Sequence, residues 1–358
     1  MEDYLFVLGR DKELSLLELI CYFKGKNINY VLKDESADIV VISLDKTNFN
    51  IEELGGTVKI AKVICKFKDK NELISSLEKL DLPNKNKVYF SINDDSAKEL
   101  LIKKFKEFSI KSYYKSNVKD PSSALKLDLE LIRFKDNLAR VIQISNPKLY
   151  KRRDETRPRF DEKKVTSIRL AKILINLSQA KKEIFDPFCG NGTLLQEALL
   201  MNLDAYGLDI KIDEAQENLK WLAGNFKIKN RFKLYRGDAG NSSRFIENIE
   251  AVVTEPYLGP YLKSYLKYNE ALRLMLELEN LYKKVFNELN KITGKVVILF
   301  PAIPTKDRRK IKVNVKKVIS GTEFRDCSYE IKLPIIYKHK GSILEREIWI
   351  FEKLKRNI

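Results

Sequence analysis

The segment Asp186-Pro187-Phe188-Cys189-Gly190-Asn191-Gly192-Thr193 decides the fold predicted for this chain. It follows a short apolar strand pattern at residues 183–185 and precedes a helical pattern at residues 193–201. The two glycines let the backbone turn tightly and approach a ligand, and the start of the helix offers free N–H groups. The segment therefore predicts a cradle for a small polar or anionic group, although one Gly-x-Gly also occurs in ordinary turns.

Two further carboxylates follow predicted strands in the same region. Gly207-Leu208-Asp209 closes the strand at residues 205–208, and Gly237-Asp238-Ala239 follows the strand at residues 232–235. In a parallel sheet, Asp209 at such an end can accept both hydroxyls of a ribose, and Asp238 suits an exocyclic adenine amine. One aspartate of this kind is usually a turn or helix cap. Three in order, beginning with Asp186, favour a nucleoside-binding edge.

The carboxyl-terminal half alternates helices with buried strands. Helical patterns at residues 168–177, 213–225 and 271–289 separate the strands already named from apolar strands at residues 251–253 and 296–300. This alternation predicts a doubly wound α/β sheet with helices on both faces. The end differs, because residues 330–333 and 348–351 predict an antiparallel pair around a turn at residues 340–342.

The amino-terminal part predicts two small α+β units. Strands at residues 4–8, 38–42 and 58–67 belong to the first, and strands at residues 88–92 and 139–144, with a basic helix at 96–108, belong to the second. Residues 151–160 follow with dense charge, a proline and no periodicity, which indicates a linker. Its arginines either are solvated or contact phosphates.

The composition limits the classes of protein that this chain can represent. At 358 residues it predicts two or three domains of about 100 to 200 residues each. Its net charge of +17 favours a polyanionic partner such as nucleic acid, unless a lysine-rich proteome makes all of its proteins basic. No apolar run approaches the roughly 20 residues needed to span a bilayer. We expect a cytoplasmic protein with no membrane partner.

Histidine and cysteine usage excludes several kinds of site. The single histidine, His339, cannot build a histidine-based triad or a multi-histidine metal site. The four cysteines lie far apart without a Cys-x-x-Cys pair, so neither a zinc ribbon nor a disulfide framework is expected. Cys189 suits a small buried filler better than a nucleophile. Catalysis must use carboxylates, amides, backbone groups or a reactive cofactor, and we expect no metal.

These segments resemble class I S-adenosylmethionine methyltransferases, and more narrowly the THUMP-domain tRNA guanine-N2 methyltransferases related to the guanosine-10 enzymes of archaea and eukaryotes. Residues 186–193 look like the family's cofactor loop, and Thr254-Glu255-Pro256-Tyr257-Leu258-Gly259 falls where the family carries Asp-Pro-Pro-Tyr-Gly. The upstream segments similar to its ferredoxin-like, THUMP and linker regions are residues 4–19, 54–60 and 122–124, and Arg153-Asp154 with Arg157-Pro158.

The resemblance implies an α/β, Rossmann-like class I methyltransferase domain preceded by a smaller α+β RNA-binding region. The implied domains are a ferredoxin-like domain at 1–66, a THUMP-like RNA-binding domain at 67–150, a linker at 151–165 and the methyltransferase domain at 166–358. The implied cofactor is S-adenosylmethionine and the implied partner is tRNA; the need for a partner subunit or a homo-oligomer stays open. The implied cofactor-binding residues are Asp186, Phe188, Gly190, Gly192, Thr193, Asp209, Asp238 and Ala239.

The implied catalytic residues are Thr254, Glu255, Pro256 and Tyr257. Aligning carboxylates puts Glu255 in the family's aspartate position, whereas aligning Pro-Tyr puts Thr254 there; we prefer Glu255. In the family, a side-chain oxygen and a backbone carbonyl of this loop accept the protons of the target amine, and the aromatic ring stacks on the extruded base. Glutamate displaces the acceptor by about 1 Å, which can cost on the order of a hundredfold in rate.

Two alternatives to guanine-N2 transfer remain. Enzymes that methylate N6 of adenine or N4 of cytosine use the same kind of loop to bind an exocyclic amine. The altered loop is also compatible with a non-catalytic RNA-binding protein that retains the methyltransferase fold. Direct transfer from the sulfonium needs neither a metal nor a covalent intermediate. The modified nucleotide and the number of methyl groups are not determined.

Overall fold

The computed structural model describes residues 1–116, 118, 120–160, 166–327, 329, 331–338 and 341–353. His339, the start of the predicted turn at 340, and residues 161–165 of the predicted linker lie outside the described residues. The chain divides into two compact units, Met1–Ser15 with Asn27–Arg153 and Leu16–Lys26 with Asp154–Ile358. Within the described residues, no helix is long and apolar enough to cross a bilayer.

The first unit is built on one eight-stranded sheet. In chain order its strands are β1 (Glu2–Leu8), β2 (Tyr30–Glu35), β3 (Ile39–Leu44), β4 (Thr57–Lys66), β5 (Lys87–Ile92), β6 (Lys111–Tyr114), β7 (Leu129–Phe134) and β8 (Asn137–Ile144). Their order across the sheet is β2-β3-β1-β4-β8-β7-β5-β6. The pairs β7–β5 and β5–β6 are parallel, and the other neighbours are antiparallel.

The sheet is continuous across residue 66, where the sequence predicts a domain boundary. β4, in the predicted ferredoxin-like part, pairs with β8, in the predicted THUMP-like part, from Lys59↔Ile144 to Lys66↔Asn137. The boundary between the two compact units of the chain lies near Arg153 instead. The division of the first unit into a ferredoxin-like and a THUMP-like domain therefore stays a prediction.

Five helices begin in the amino-terminal part of the chain: α1 (Lys12–Gly25), α2 (Lys70–Glu78), α3 (Asp95–Glu107), α4 (Pro121–Ala124) and α5 (Pro147–Thr156). α3 buries Ala97, Leu101 and Phe105, which recur every four residues on one face of the helix. These side chains pack in one core with Val88 and Phe90 of β5. Lys103 and Lys106 of α3 are exposed, whereas Lys104 donates to the carbonyls of Leu77, Glu78 and Leu80.

Helix α5 corrects the prediction of an irregular linker from residue 151. It runs from Pro147, a residue suited to the first helical turn, through Thr156. Tyr150 is the buried residue of this helix, and its hydroxyl lies 3.3 Å from Glu52 Oε2. A helix with so little apolar surface has no amphipathic pattern, so the sequence offered no helical periodicity to detect.

The second unit is built on a nine-stranded sheet. Its strands are β9 (Glu183–Asp186), β10 (Asp204–Asp209), β11 (Phe232–Arg236), β12 (Ala251–Thr254), β13 (Lys295–Pro304), β14 (Lys310–Lys312), β15 (Phe324–Asp326), β16 (Ile335–Tyr337) and β17 (Glu345–Lys353). The main order is β11-β10-β9-β12-β13-β17-β15, with β14 on β13 and β16 on β17. The first five strands of that order are parallel. The predicted doubly wound α/β sheet is confirmed.

The helices of this unit are α6 (Ile168–Ser178), α7 (Thr193–Leu200), α8 (Asp213–Asn225), α9 (Tyr268–Ile292) and α10 (Val315–Val318). The long helix α9 buries Met275, Tyr282, Phe286 and other residues along one stripe against β13 and β17. All four residues of β12 are buried. Such continuous apolar runs are typical of central parallel strands covered on both faces.

The carboxyl-terminal antiparallel pair lies further along the chain than the sequence predicts. β17 pairs with β16 from Ile335↔Ile348 to Tyr337↔Arg346, whereas the described residues 331–333 of the predicted strand are not in a strand. Pro334 separates the two positions and has no N–H to donate to a ladder. The strand therefore begins after the proline.

Candidate active site

The strand order places a crevice beside β9. From β9 the chain continues outward to β10 and β11, and it then returns to β12 on the other side of β9. In open α/β sheets, ligands bind outside the carboxyl ends of the strands at such a reversal. Asp186 ends β9, Asp209 ends β10 and Glu255 directly follows β12. The structure thus brings these predicted residues to one edge of the sheet.

The loop between β9 and α7 depends on its two glycines. Gly190 and Gly192 have φ angles of 50° and 81°, in the left-handed region that favours glycine. A Cβ atom on Gly192 would lie 3.3 Å from the Cβ of Ala215, whereas a Cβ on Gly190 would have no neighbour closer than 4.0 Å. Gly192 therefore closes the loop onto the protein, and Gly190 leaves open space beside it.

The side chain of Asp209 holds the backbone of this loop. Its Oδ2 accepts a hydrogen bond from the N–H of Gly190 at 2.9 Å, and its Oδ1 accepts one from the N–H of Lys211 at 2.9 Å. The N–H of Cys189 donates to the carbonyl of Leu208 at 3.1 Å. Each carboxylate oxygen has more than one lone pair, so Asp209 keeps acceptor capacity for a ligand hydroxyl.

Asp186 is buried and ties β9 to β12. Its Oδ1 accepts hydrogen bonds from the N–H of Phe188 at 3.0 Å and from the hydroxyl of Thr254 at 2.6 Å. Burial raises the pKa of Asp186 to about 7, although these two hydrogen bonds oppose the rise; the carboxylates of Asp209 and Glu255 add to it. In this geometry Asp186 joins the ends of two strands.

Arg157 is a residue of the site whose position the sequence did not predict. It lies in the predicted linker, yet its side chain is only 2% exposed and its Nη1 donates to the Thr193 hydroxyl at 2.9 Å. Thr193 in turn donates to Asn191 Oδ1 at 3.0 Å. A cation at a helix N-terminus opposes the helix dipole, and Asp154, 2.9 Å from Arg157 Nη2, offsets this cost. The Arg157-Pro158 pair was the signal in the sequence.

Asp238 caps the short 3₁₀ helix Ala239–Arg244. Its Oδ1 accepts the N–H of Gly240 at 2.7 Å, and its Oδ2 lies 3.1 Å from Nζ of Lys284 on α9. The hydrogen bond from Gly240, and then that from Lys284, lower the pKa of Asp238. Ala239 is buried. Lys284 was not predicted, because nothing near it in the chain links α9 to this edge.

Glu255 and Thr254 differ in the direction of their side chains. Thr254 is fully buried and bonds to Asp186, whereas Glu255 is partly exposed at the start of the loop. Nε of Arg346 donates to Glu255 Oε1 at 2.6 Å, and the Thr166 hydroxyl donates to Oε2. This geometry favours Glu255 over Thr254 as the acceptor, and both catalytic assignments stay predictions. Arg346, on β17, and Thr166 were missed by the sequence analysis.

The rest of the loop has a fixed backbone and an exposed ring. Pro256 is buried, and the carbonyl of Tyr257 accepts a hydrogen bond from the Tyr282 hydroxyl at 2.7 Å. Burial raises the pKa of Tyr282 well above its usual value, so this hydroxyl keeps its proton. The Tyr257 side chain is 54% exposed. Cys189, by contrast, is buried with a raised thiol pKa, which makes it a poor nucleophile.

Residues 157–320 match the UPF0020 family, an RMKL-like methyltransferase domain. This segment is similar to a methyltransferase domain. The match covers every strand from β9 to β14, with Asp186, Asp209, Asp238 and Glu255, whereas Arg346 lies beyond it. A methyltransferase domain implies a methyl donor as its second substrate. The predicted methyltransferase family and Rossmann-like fold class are confirmed for this part of the chain.

The chain is also similar to curated archaeal proteins named tRNA (guanine(10)-N2)-dimethyltransferase. It is 30% identical to that of Pyrococcus abyssi over 140 residues, which is 37% of this chain and 38% of the relative. It is 28% identical to that of Methanocaldococcus jannaschii over 193 residues, which is 52% of this chain and 46% of the relative. The matched segments thus span less than half of the length of these relatives.

Two solved structures resemble the fold of this chain over nearly its whole length. TrmN from Thermus thermophilus has a TM-score of 0.52 at 12% identity, and covers 98% of this chain and 100% of its own. A possible methylase from Clostridium difficile 630 has a TM-score of 0.50 at 16% identity, and covers 100% of this chain and 99% of its own. At these identities the likeness concerns the fold alone.

Proposed function

We propose that this protein is an S-adenosylmethionine-dependent methyltransferase that transfers a methyl group to the exocyclic N2 of a guanosine in tRNA. The observation that carries the proposal is the meeting of Asp209, Asp238 and Glu255 at the carboxyl edge of one parallel sheet within a methyltransferase domain. The names of the archaeal relatives support guanine in tRNA as the substrate. A net charge of +17 supports a polyanionic substrate.

The residues present fit S-adenosylmethionine. The open space beside Gly190 adjoins the carboxylate of Asp209, which suits the two ribose hydroxyls. Asp238 keeps lone pairs for the adenine amine, and Phe188 is a partly buried aromatic side chain that packs against the core cluster containing Ala239. Gly192 and Thr193 start α7, whose N–H groups favour an anionic group. Bound S-adenosylmethionine supplies an activated methyl group on its sulfonium.

The loop after β12 is suited to hold the target amine. Glu255 has one hydrogen bond on each oxygen, so each keeps a lone pair for an N–H of the amine. The ion pair with Arg346 fixes the direction of the carboxylate. Accepting the amine protons favours a pyramidal nitrogen whose lone pair points towards the methyl donor. The exposed ring of Tyr257 is placed to stack on an extruded base.

A non-catalytic RNA-binding protein is the second candidate function. The observation that favours it is the ion pair of Glu255 with Arg346, because a purely structural glutamate would make the same contact. The two candidates differ in one property: a catalytic Glu255 contributes to turnover, whereas a structural Glu255 contributes only to stability. Base methylation at N6 of adenine or N4 of cytosine has no specific observation in its favour.

The test is methyl transfer from radiolabelled S-adenosylmethionine to an unmodified tRNA transcript, followed by mass spectrometry of the nucleosides. We expect N2-methylguanosine or N2,N2-dimethylguanosine. After the position is mapped, a transcript with inosine there, which lacks the exocyclic amine, should accept no label. Detection of N6-methyladenosine or N4-methylcytidine instead would show that the target base is adenine or cytosine. Cofactor binding without any methylated nucleoside would favour the non-catalytic candidate.

A further inference from the structure

The segment from Tyr257 to Tyr265 carries three exposed tyrosines. Tyr257, Tyr261 and Tyr265 expose 54%, 64% and 49% of their surface. In the part of the chain that the structure describes, the only other exposed aromatic side chains are Phe108 and Phe160. Clusters of exposed apolar side chains mark interaction surfaces. Three exposed rings between residues 257 and 265 therefore indicate a segment that contacts a partner.

The backbone that carries these rings is anchored at both ends. The Tyr282 hydroxyl holds the carbonyl of Tyr257 at 2.7 Å, and the N–H of Lys306 holds the carbonyl of Leu266 at 2.9 Å. Leu266 also forms a β-bridge with Thr305. The segment that carries the rings is thus held at both ends, which limits the conformational freedom that it loses when a partner binds.

The surroundings of the three rings are basic. Lys263 and Lys267 are exposed within the same segment, and Lys306 and Arg308 are exposed across the β-bridge. We call residues 257–268 with residues 305–309 the tyrosine-basic surface. Its acidic residue, Asp307, is paired with Arg309 inside the same turn, with Arg309 Nε 2.8 Å from Asp307 Oδ2. The surface therefore carries an excess of positive charge.

Arg309 adds a second type of stacking group. Its guanidinium carbon lies 3.6 Å from the ring centroid of Tyr268, so the cation covers an aromatic face. Arginine planes and tyrosine rings both stack on nucleobases, and such stacking accepts any base. This combination of rings and cations matches a single-stranded polyanion with aromatic bases.

We propose that the tyrosine-basic surface binds the unpaired ribonucleotides that flank the target base. Tyr261 and Tyr265 stack on the flanking bases, and the lysines and arginines contact their phosphates. The surface begins two residues after Glu255, so nucleotides adjacent to an extruded base lie within its reach. The inference deepens the proposed function and rests on it for the choice of RNA as the partner. Its excess of cations favours RNA over an apolar protein partner.

The test compares Tyr261→Ala/Tyr265→Ala with Tyr261→Phe/Tyr265→Phe, which keeps both rings. Dissociation constants are measured by filter binding for an unmodified tRNA transcript and a single-stranded ribo-oligonucleotide, together with that of S-adenosylmethionine. We expect the alanine variant to lose roughly 5- to 150-fold in RNA affinity per ring, with KM for tRNA rising in parallel. Cofactor affinity should be unchanged. The phenylalanine variant should behave as wild type, as should Leu276→Ala, an exposed apolar control on α9.

Charge removal tests the phosphate contacts separately. Lys263→Gln and Arg308→Gln should each reduce the salt dependence of oligonucleotide binding, by about 0.7 in the slope of log K against log salt. Both side chains are exposed, so we expect both variants to fold, and thermal denaturation checks this.

The outcomes separate this inference from the proposed function. Unchanged RNA affinity and KM in the alanine variant would overturn the inference even where the wild type methylates tRNA. Lost RNA affinity in that variant would support the inference even where the wild type produces no methylated nucleoside. If the alanine variant binds RNA normally but loses self-association in size-exclusion chromatography, the surface is a protein interface and the inference is wrong.

Discussion

Burial divides the carboxylates at the sheet edge into two kinds. Asp186 is buried with a raised pKa, and it joins β9 to β12. Asp238 is half-exposed with a lowered pKa, and Asp209 is held by two backbone N–H groups. Glu255 lies in a partly buried ion pair. At the scale of the residue, the Asp186 carboxylate joins two strands, whereas the other three carboxylates keep acceptor capacity for the proposed ligands.

Glu255 is the residue whose substitution separates catalysis from cofactor binding. Glu255→Ala removes the proposed acceptor of the target amine, so we expect kcat to fall on the order of a hundredfold. The affinity for S-adenosylmethionine should change little, because Glu255 contacts neither Asp209 nor the glycine loop through the bonds described. Asp209→Ala should instead weaken the binding of S-adenosylmethionine and change kcat little. Calorimetry and single-turnover kinetics measure both, and equal loss of cofactor affinity in the two variants would refute the assignment.

Asp186 should make the protein's stability depend on pH. Its folded-state pKa of about 7 exceeds the ordinary value of 3.8, so the folded protein retains a proton that the unfolded chain releases in this window. The contribution to stability is present in full below pH 4 and declines as pH rises to 7, by up to about 1.4 kcal/mol per pH unit.

Asp186→Asn keeps an oxygen acceptor for Phe188 and Thr254 but cannot titrate. We therefore expect the wild type to lose more stability than the variant between pH 4.5 and pH 7.5. Urea denaturation of both proteins at the two pH values measures the difference. Equal losses would show that Asp186 titrates normally.

At the scale of the element, the loop from β9 to α7 contains two left-handed residues, and Gly192 is the one that directly precedes the helix. Gly192 has a φ of 81°, and the helix begins immediately after it. The loop is fixed from β10 through Asp209 and from α8 through Ala215. The position of the cofactor loop is thus a property of three elements together.

Gly192→Ala should therefore weaken both the fold and the cofactor site. An alanine in the left-handed region costs about 1 to 2 kcal/mol, and its Cβ would approach Ala215 to 3.3 Å. We expect a lower midpoint of thermal denaturation and weaker binding of S-adenosylmethionine. Gly224→Ala is the matched control, because Gly224 lies within α8 and its added Cβ meets nothing within 4 Å. That control should be neutral or slightly stabilising, and similar losses in both variants would contradict the argument.

At the scale of the whole molecule, charge is the dominant feature. The net charge of +17 attracts any polyanion, whereas the tyrosine-basic surface and the crevice beside β9 are local features of one unit. Attraction by net charge and binding at specific phosphates differ in their dependence on salt. The slope of log K against log salt reports the number of phosphates that the protein contacts, because each contact releases counterions.

Affinity for tRNA should accordingly fall steeply with salt. If about six or more phosphates are contacted, the association constant should fall about a thousandfold or more between 50 mM and 200 mM salt. Filter binding over this range measures the slope, with a duplex DNA of equal charge as the comparison. A fall of less than about tenfold would indicate that the positive charge reflects a basic composition and not phosphate binding.

Several elements with an apolar centre were predictable, and two exposed elements were not. β12 has three apolar residues before Thr254, and β9 has Ile184 and Phe185 at its centre, so the positions of these strands follow from the sequence. β2 escaped prediction because it is an edge strand that exposes Val31 and Leu32. α5 escaped it because its sequence has no apolar stripe.

The sequence by itself determined the alternation of elements and the placement of Asp186, Asp209, Asp238 and Glu255 after successive strands, because both depend on local spacing. Only the tertiary structure decided what those side chains contact. Thr254 reaches Asp186 across 68 residues, Lys284 reaches Asp238 across 46, and Arg346 reaches Glu255 across 91. Such pairs follow from the order of strands in the sheet and the path of α9, which no local pattern encodes.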